Sequence, residues 1–163
     1  MLFTDGSVHV QSGIGFGAYL LVTDIETPMD VLKDKIEVVR FEATSSTKLE
    51  LQTLLHAFNM IPETVDKLEI YSDSQNIASL LQRRKRLEQN NYHSKGNRPL
   101  NNAELYRNFF RMTDSFHCEF IKVKGHKKTN QKDAVERIFT LVDRASRNVL
   151  RKEIRGQSEN KKM

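Results

Sequence analysis

The chain has 163 residues, enough for one domain with a sizeable core. Its single cysteine, Cys118, excludes an internal disulfide and a cysteine-based zinc cluster, and it favours a reducing, cytoplasmic setting. The start of the chain lacks a signal-peptide pattern and no apolar run reaches about 18 residues, so we expect an unexported protein without a membrane span. The 26 Lys and Arg outnumber 21 acids, and their clustering is typical of a polyanion-binding protein.

The first third of the chain predicts three strands. Apolar runs at 2–4, 16–22 and 36–41 have strand composition, and we expect them to be adjacent and antiparallel. Asp5-Gly6 and the glycines that follow favour a turn after the first strand. Pro28 favours another turn in the connection to the third strand.

The pattern then changes to alternating helices and strands. Leu51, Leu54, Leu55 and Phe58 follow helical spacing, and Pro62 ends the run. The later predicted elements are a strand over 68–71, a helix from Ile77, a polar loop over 89–99, a helix from Leu105, a strand over 116–123 and a helix over 138–149. This order predicts an α/β fold with a mixed sheet flanked by helices. We expect one domain over 1–153 and a disordered tail over 154–163.

Two acids in the first third are candidates for a buried site, although each also has a local explanation. Asp5 follows a strand, and it is either a turn residue beside Gly6 or a carboxylate that projects into a cleft. Glu50 either completes a capping box with Thr47 or, sharing a helical face with Leu54 and Ala57, lies at the edge of the core. A carboxylate at such a margin requires a cation or several donors.

Two more acids fit the same description later in the chain. Asp73 lies at a strand-to-helix junction, where open sheets build ligand sites, or it is a first-turn acid after a Ser72 cap. Asp143 is one turn before Arg147, with which it can pair, but Phe139 on the same face places it at an apolar boundary. Four oxygen ligands are the set that a hard ion such as Mg²⁺ requires, and phosphate chemistry commonly uses such ions.

A histidine and two basic clusters complete the candidates. His126 follows Gly125, and it is either an exposed loop residue or a proton-transfer group that titrates near neutrality. The basic clusters predict a nucleic-acid surface or simply a solvated helix face. They consist of Arg83, Arg84, Lys85 and Arg86, and of Lys122, Lys124, Lys127 and Lys128.

The motifs, taken together, resemble type 1 ribonuclease H. They are FTDGS at 3–7, STKLELQTLLHAF at 46–58, YSDSQ at 71–75, VKGH at 123–126 and LVDRAS at 141–146. The resemblance covers the chain from Leu2 to about Arg151 and implies the ribonuclease H-like fold, with five strands in a mixed sheet.

The resemblance also implies an activity and its residues. The activity is hydrolysis of the RNA strand of an RNA/DNA hybrid by a monomer, leaving a 5′-phosphate and a 3′-hydroxyl. Two Mg²⁺ ions, with Mn²⁺ as a possible substitute, would be held by Asp5, Glu50, Asp73 and Asp143, and His126 would assist proton transfer. The residues expected to bind substrate are Ser45, Lys48, Gln75, Arg83, Arg84, Lys85 and Arg86.

Several positions depart from the family pattern. Ser46-Thr47 stands where relatives often have paired asparagines, and the basic substrate handle (residues 83–99) has no tryptophan, leaving Tyr92 as its large aromatic ring. Glu136 competes with Asp143 as the fourth metal ligand, and the LVDRAS context favours Asp143. Two other functions remain open: a recombination or transposition nuclease of the same superfamily, and a non-catalytic nucleic-acid-binding domain.

Overall fold

The computed structural model describes residues 1–62, 64–123 and 133–160, with side chains up to residue 157. Its elements are β1 (Leu2–His9), β2 (Ile14–Leu21), α1 (Met29–Asp34), β3 (Glu37–Phe41), α2 (Ser46–Phe58), β4 (Lys67–Ser72), α3 (Gln75–Gln89), α4 (Ala103–Ser115), β5 (His117–Lys122) and α5 (Ala134–Asn160). The five strands form one sheet in the order β3-β2-β1-β4-β5. β1, β2 and β3 pair antiparallel, while β4 is parallel to both β1 and β5. The predicted mixed sheet and its antiparallel trio are confirmed.

The sheet buries apolar side chains on both faces because side chains alternate along each strand. In β1, Leu2 packs in a core with residues of α2, α3 and α4, whereas Phe3 packs in a second core with residues of α1 and α5. In β4, Ile70 belongs to the first core and Tyr71 to the second. The helices therefore form two layers, with α2, α3 and α4 on one face of the sheet and α1 and α5 on the other.

Three features differ from the sequence-based expectations. β1 continues through Asp5-Gly6 to His9, so the predicted turn at Asp5 is wrong. Its antiparallel register with β2 runs unbroken from Leu2↔Leu21 to His9↔Ile14, which keeps Asp5 within the sheet. The connection after Pro28 contains a short helix, α1, instead of a turn alone. The last helix continues to Asn160, beyond Glu153, after which we expected disorder.

No helix in the part of the chain that the structure describes is long and apolar enough to cross a membrane.

Candidate active site

A crevice opens between the two central parallel strands. β1 pairs with β4 only at Leu2 and Phe3, so the strands separate beyond that point. Asp5 lies on β1 two residues past the last pair, and Asp73 directly follows the end of β4. Ligands bind preferentially at the carboxyl ends of parallel strands in open sheets, which is where this crevice lies.

Glu50 reaches the crevice from helix α2. Asp5 and Glu50 line the same small cavity, together with Thr53 of α2 and Ser72 of β4. The Ser74 hydroxyl donates to Glu50 Oε2 at 2.6 Å. Burial raises the pKa of Glu50, and the charge of Asp73 raises it further, while the hydrogen bond from Ser74 lowers it.

The local readings, Glu50 in a capping box with Thr47 and Asp73 as a first-turn acid after a Ser72 cap, are wrong because the caps lie elsewhere. The N-cap of α2 is Ser45, whose hydroxyl accepts from the Lys48 N–H at 3.4 Å. The N-cap of α3 is Ser74, whose hydroxyl accepts from the Ile77 N–H at 3.2 Å. Glu50 is therefore held by a contact between helices, and the exposed Asp73 lies outside α3.

Asp143 approaches from α5, on the opposite face of the sheet. Its Oδ1 forms an ion pair with Arg147 Nε at 2.7 Å, as the sequence spacing suggests. The negative charge of the same side chain also acts on Asp5 and raises its pKa. The local pairing and the contact with the crevice therefore coexist.

Ser146 was not predicted and joins α5 to β1. It is completely buried, and its hydroxyl lies 3.3 Å from Asp5 Oδ2, 3.3 Å from Ser7 Oγ and 3.0 Å from the Asp143 carbonyl oxygen. Asp5 and Ser146 are far apart in sequence, so no local pattern indicates this contact. Only the LVDRAS motif contains a signal for it.

These four acids, which we call the acidic crevice (Asp5, Glu50, Asp73 and Asp143), repel one another. The pKa of Asp5 rises from 3.8 to about 7. Burial is the main cause, followed by the negative charges of Asp73 and Asp143, whereas the Gly6 N–H acts in the opposite direction. A buried carboxylate among like charges requires a proton or a cation.

The donor set of the crevice fits a hard divalent ion, since every donor is a carboxylate oxygen. In the described ranges, no group of three or more His, Cys, Asp or Glu side chains has an arrangement that could hold a metal ion. Glu50 is instead engaged with Ser74, and Asp143 with Arg147. Each of these two contacts engages one oxygen of the carboxylate, Oε2 of Glu50 and Oδ1 of Asp143.

Glu136, the competing fourth ligand, has a different role at the start of α5. Its Oε2 accepts from the Asp133 N–H at 3.1 Å, and its own N–H donates to Asp133 Oδ1 at 2.8 Å. This reciprocal pair is a capping box. The structure thus gives Glu136 a capping contact and brings Asp143 to Asp5.

The predicted handle arginines are largely engaged within the protein. Arg83 donates to Asn76 Oδ1 at 2.6 Å and to its carbonyl oxygen at 3.1 Å. Arg84 forms two hydrogen bonds with Asp114, at 2.6 and 2.8 Å, and lies over the Phe110 ring. Lys85 and Arg86 are exposed, and they are the members of the cluster that face solvent.

The remaining predicted substrate contacts lie near the helix starts. Lys48 Nζ donates to the Ala43 carbonyl oxygen at 2.9 Å, close to Ser45. Gln75 is exposed, and its Oε1 accepts from Lys122 Nζ at 2.5 Å. His126 and its neighbours Lys124, Lys127 and Lys128 lie outside the described residues.

A five-stranded sheet in this order, with acids gathered where β1 and β4 separate, defines a ribonuclease H-like α/β protein. The RNase H family model matches residues 1–147. The chain therefore belongs to the RNase H family, and it is a ribonuclease H enzyme.

Individual relatives are distant in sequence. The ribonuclease H of Chlorobaculum parvum is 23% identical over 144 residues, covering 86% of this chain and 92% of the relative. The ribonuclease H of Acetivibrio thermocellus is 25% identical over 143 residues, covering 85% and 90%. Among solved structures, the foamy viral protease-reverse transcriptase in complex with dsDNA has a TM-score of 0.62 and 13% identity, covering 89% of this chain and 92% of that one. This last likeness concerns the fold alone.

Proposed function

We propose that the chain is a metal-dependent endoribonuclease that hydrolyses the RNA strand of RNA/DNA hybrids. Asp5, Glu50, Asp73 and Asp143 would hold two Mg²⁺ ions, with Mn²⁺ as a substitute. The observation that carries the proposal is the burial of Asp5 beside Asp73 and Asp143, which also raises its pKa. Acids in structural roles are usually paired with bases, whereas Asp5 faces more acids.

The ions, when bound, supply an activated water and stabilisation of the departing 3′-oxygen of an in-line displacement. The products would be a 5′-phosphate and a 3′-hydroxyl. Ser74 and Ser146 orient Glu50 and Asp5 through their hydroxyls, so that both carboxylates keep their position at the crevice. His126 is proposed to assist proton transfer, as its family position implies.

The hybrid is the proposed substrate because the relatives are ribonucleases H and because the crevice is flanked by suitable groups. Gln75 directly follows the Ser74 cap, beside Asp73, and an amide there can contact a 2′-hydroxyl in the shallow minor groove. Ser45 and Lys48 at the start of α2 offer a hydroxyl and an ammonium to a DNA phosphate. Lys85 and Arg86, exposed on α3, extend the basic surface, with Arg83 and Arg84 positioned behind them by protein contacts.

The proposed enzyme acts as a monomer in a reducing, cytoplasmic setting. The sequence supports the setting because its single cysteine, Cys118, cannot form an internal disulfide. Sedimentation equilibrium of the full chain, with and without hybrid, tests the monomeric state.

Cleavage of a matched set of substrates tests the activity. Hybrid, double-stranded RNA, double-stranded DNA and a four-way DNA junction are compared with Mg²⁺, with Mn²⁺ and with chelator. We expect metal-dependent cleavage of the RNA strand of the hybrid, and loss of cleavage in Asp73→Asn. Faster cleavage of the junction would select a recombination nuclease, and binding without cleavage would select a non-catalytic domain.

A further inference from the structure

Helix α5 carries a row of arginines that the proposed mechanism does not use. Arg144, Arg147, Arg151 and Arg155 are all exposed, and we call this set the arginine stripe. Relative to Arg144 the others are at positions +3, +7 and +11. At about 100° per residue, all four lie within about 80° of the helix circumference. The stripe is therefore one continuous face of α5.

Among the described residues, most of the stripe has no acidic partner. Arg147 pairs with Asp143. Within residues 1–62, 64–123 and 133–157, no carboxylate pairs with Arg144, Arg151 or Arg155. Glu153, which lies between Arg151 and Arg155 in the sequence, instead contacts Arg40 and Gln157. Like charges one helical turn apart repel one another, so Arg147, Arg151 and Arg155 disfavour one another along the stripe.

The stripe begins at the acidic crevice and leads away from it. Arg147 contacts Asp143, and Ser146, which directly precedes Arg147, contacts Asp5. Beyond that point the helix continues to Asn160. α5 packs on the opposite face of the sheet from α3, which carries Lys85 and Arg86. The stripe is therefore a basic surface separate from the handle.

We propose that the arginine stripe binds the phosphodiester backbone of a nucleic acid strand that extends beyond the hybrid held at the acidic crevice. The inference rests on the proposed function for the position of the hybrid. From Arg144 to Arg155 the helix rises about 16 Å, which spans about five phosphates at the per-strand rise of a duplex. Guanidinium groups suit this partner because their planar donors bind phosphate in a bidentate manner.

Binding measurements on extended substrates test the inference. The protein carries Asp73→Asn throughout, so that bound substrate is not cut. A short blunt hybrid is compared with the same hybrid bearing a single-stranded extension on each end in turn, over a range of salt concentrations. The test variant is Arg151→Gln with Arg155→Gln, and the control variant is Lys33→Gln with Lys35→Gln, which removes the same charge from exposed positions outside the stripe.

We expect one of the extensions to tighten binding and to steepen the salt dependence. The test variant should lose this gain, and its slope of log affinity against log salt should decrease by about 1.4, which is about sevenfold between roughly 50 and 200 mM salt. Affinity for the blunt hybrid, and cleavage of it when Asp73 is restored, should remain unchanged. The control variant should keep the gain.

Three results would overturn the inference. In the first, the test variant still binds the extended hybrid more tightly than the blunt one. In the second, the control variant loses this gain as fully as the test variant does. In the third, the test variant keeps the gain but no longer binds anionic phospholipid vesicles that the wild type binds. Failure of the proposed function is a different outcome: the chain with Asp73 would not cut hybrid, although Arg151 and Arg155 would still determine how strands bind.

Discussion

Asp5→Asn should stabilise the metal-free protein while abolishing its activity. In the folded chain the pKa of Asp5 rises from 3.8 to about 7, chiefly through burial and then through Asp73 and Asp143. Each pKa unit corresponds to about 1.4 kcal/mol, so ionising Asp5 costs the folded state about 4 kcal/mol. An amide at this position carries no charge and avoids that cost.

The effect has a defined pH dependence. Because the folded pKa lies above the unfolded one, the folded state keeps a proton that the unfolded state loses as pH rises above 4. The free energy of unfolding of the wild type therefore decreases between about pH 4 and 7. Above pH 7 the full cost of ionising Asp5 is present. The variant should gain little at pH 4 and up to about 4 kcal/mol at pH 8.5, which corresponds to roughly 10 °C in melting temperature for a chain of this size.

Thermal and urea unfolding in chelator, followed by circular dichroism from pH 4 to 8.5, measure the gain. Asp66→Asn is the control because Asp66 is exposed, and it should change little at any pH. With Mg²⁺ the wild type should gain about 2.7 kcal/mol at a concentration a hundred times the dissociation constant, and the variant less. A variant that melts at or below the wild type at pH 8.5, or gains equally at pH 4, would refute the reasoning.

Three further changes test the packing, the cap and the substrate contact. Gly17→Ala should cost roughly 1–3 kcal/mol of unfolding free energy, since the new Cβ would lie 1.9 Å from Thr53 Oγ1, and Thr53→Ala in the same chain should recover part of it in urea melts. Glu136→Ala should lower the free energy of unfolding by about 1 kcal/mol because the capping contact is lost, and Mg²⁺ should still raise the melting temperature of the variant. Loss of the Mg²⁺-induced rise would show that Glu136 is a metal ligand. Lys122→Met frees the Gln75 amide, so KM for hybrid should rise about tenfold with kcat retained, and an unchanged KM would show that the contact does not orient Gln75.

The periodicity of apolar residues correctly predicted the helices and strands with strong patterns. It failed where strand pairing determines the structure and where a helix is too short to show a period. Leu51, Leu54 and Phe58 are buried on one face of α2, as their spacing predicts. Asp5-Gly6 has the composition of a turn, but eight consecutive pairs with β2 keep it in the strand. The helix α1 has six residues and one buried side chain, Leu32, which is too few for a periodic signal.

The local chemistry of the acids was predictable in kind but not in position. A hydroxyl cap was predicted for each of α2 and α3, but the caps are Ser45 and Ser74 and not the predicted Thr47 and Ser72. A shift of two residues changes which side chains take part in the cap, and here it leaves Glu50 out of the cap and Asp73 outside the first turn. Helix limits carry this uncertainty because several nearby hydroxyls can cap the same turn.

Local and long-range roles of the acids are not exclusive, and this determines the charge of the crevice. Among the described residues, the pairing of Asp143 with Arg147 brings one positive charge to the four carboxylates, and the remaining repulsion adds to the burial that raises the pKa of Asp5 to about 7. A protein that only required stability would gain by replacing a buried, repelled acid with a neutral residue. The burial of Asp5 among other acids, at a position where an amide would be more stable, therefore supports the proposed cation site.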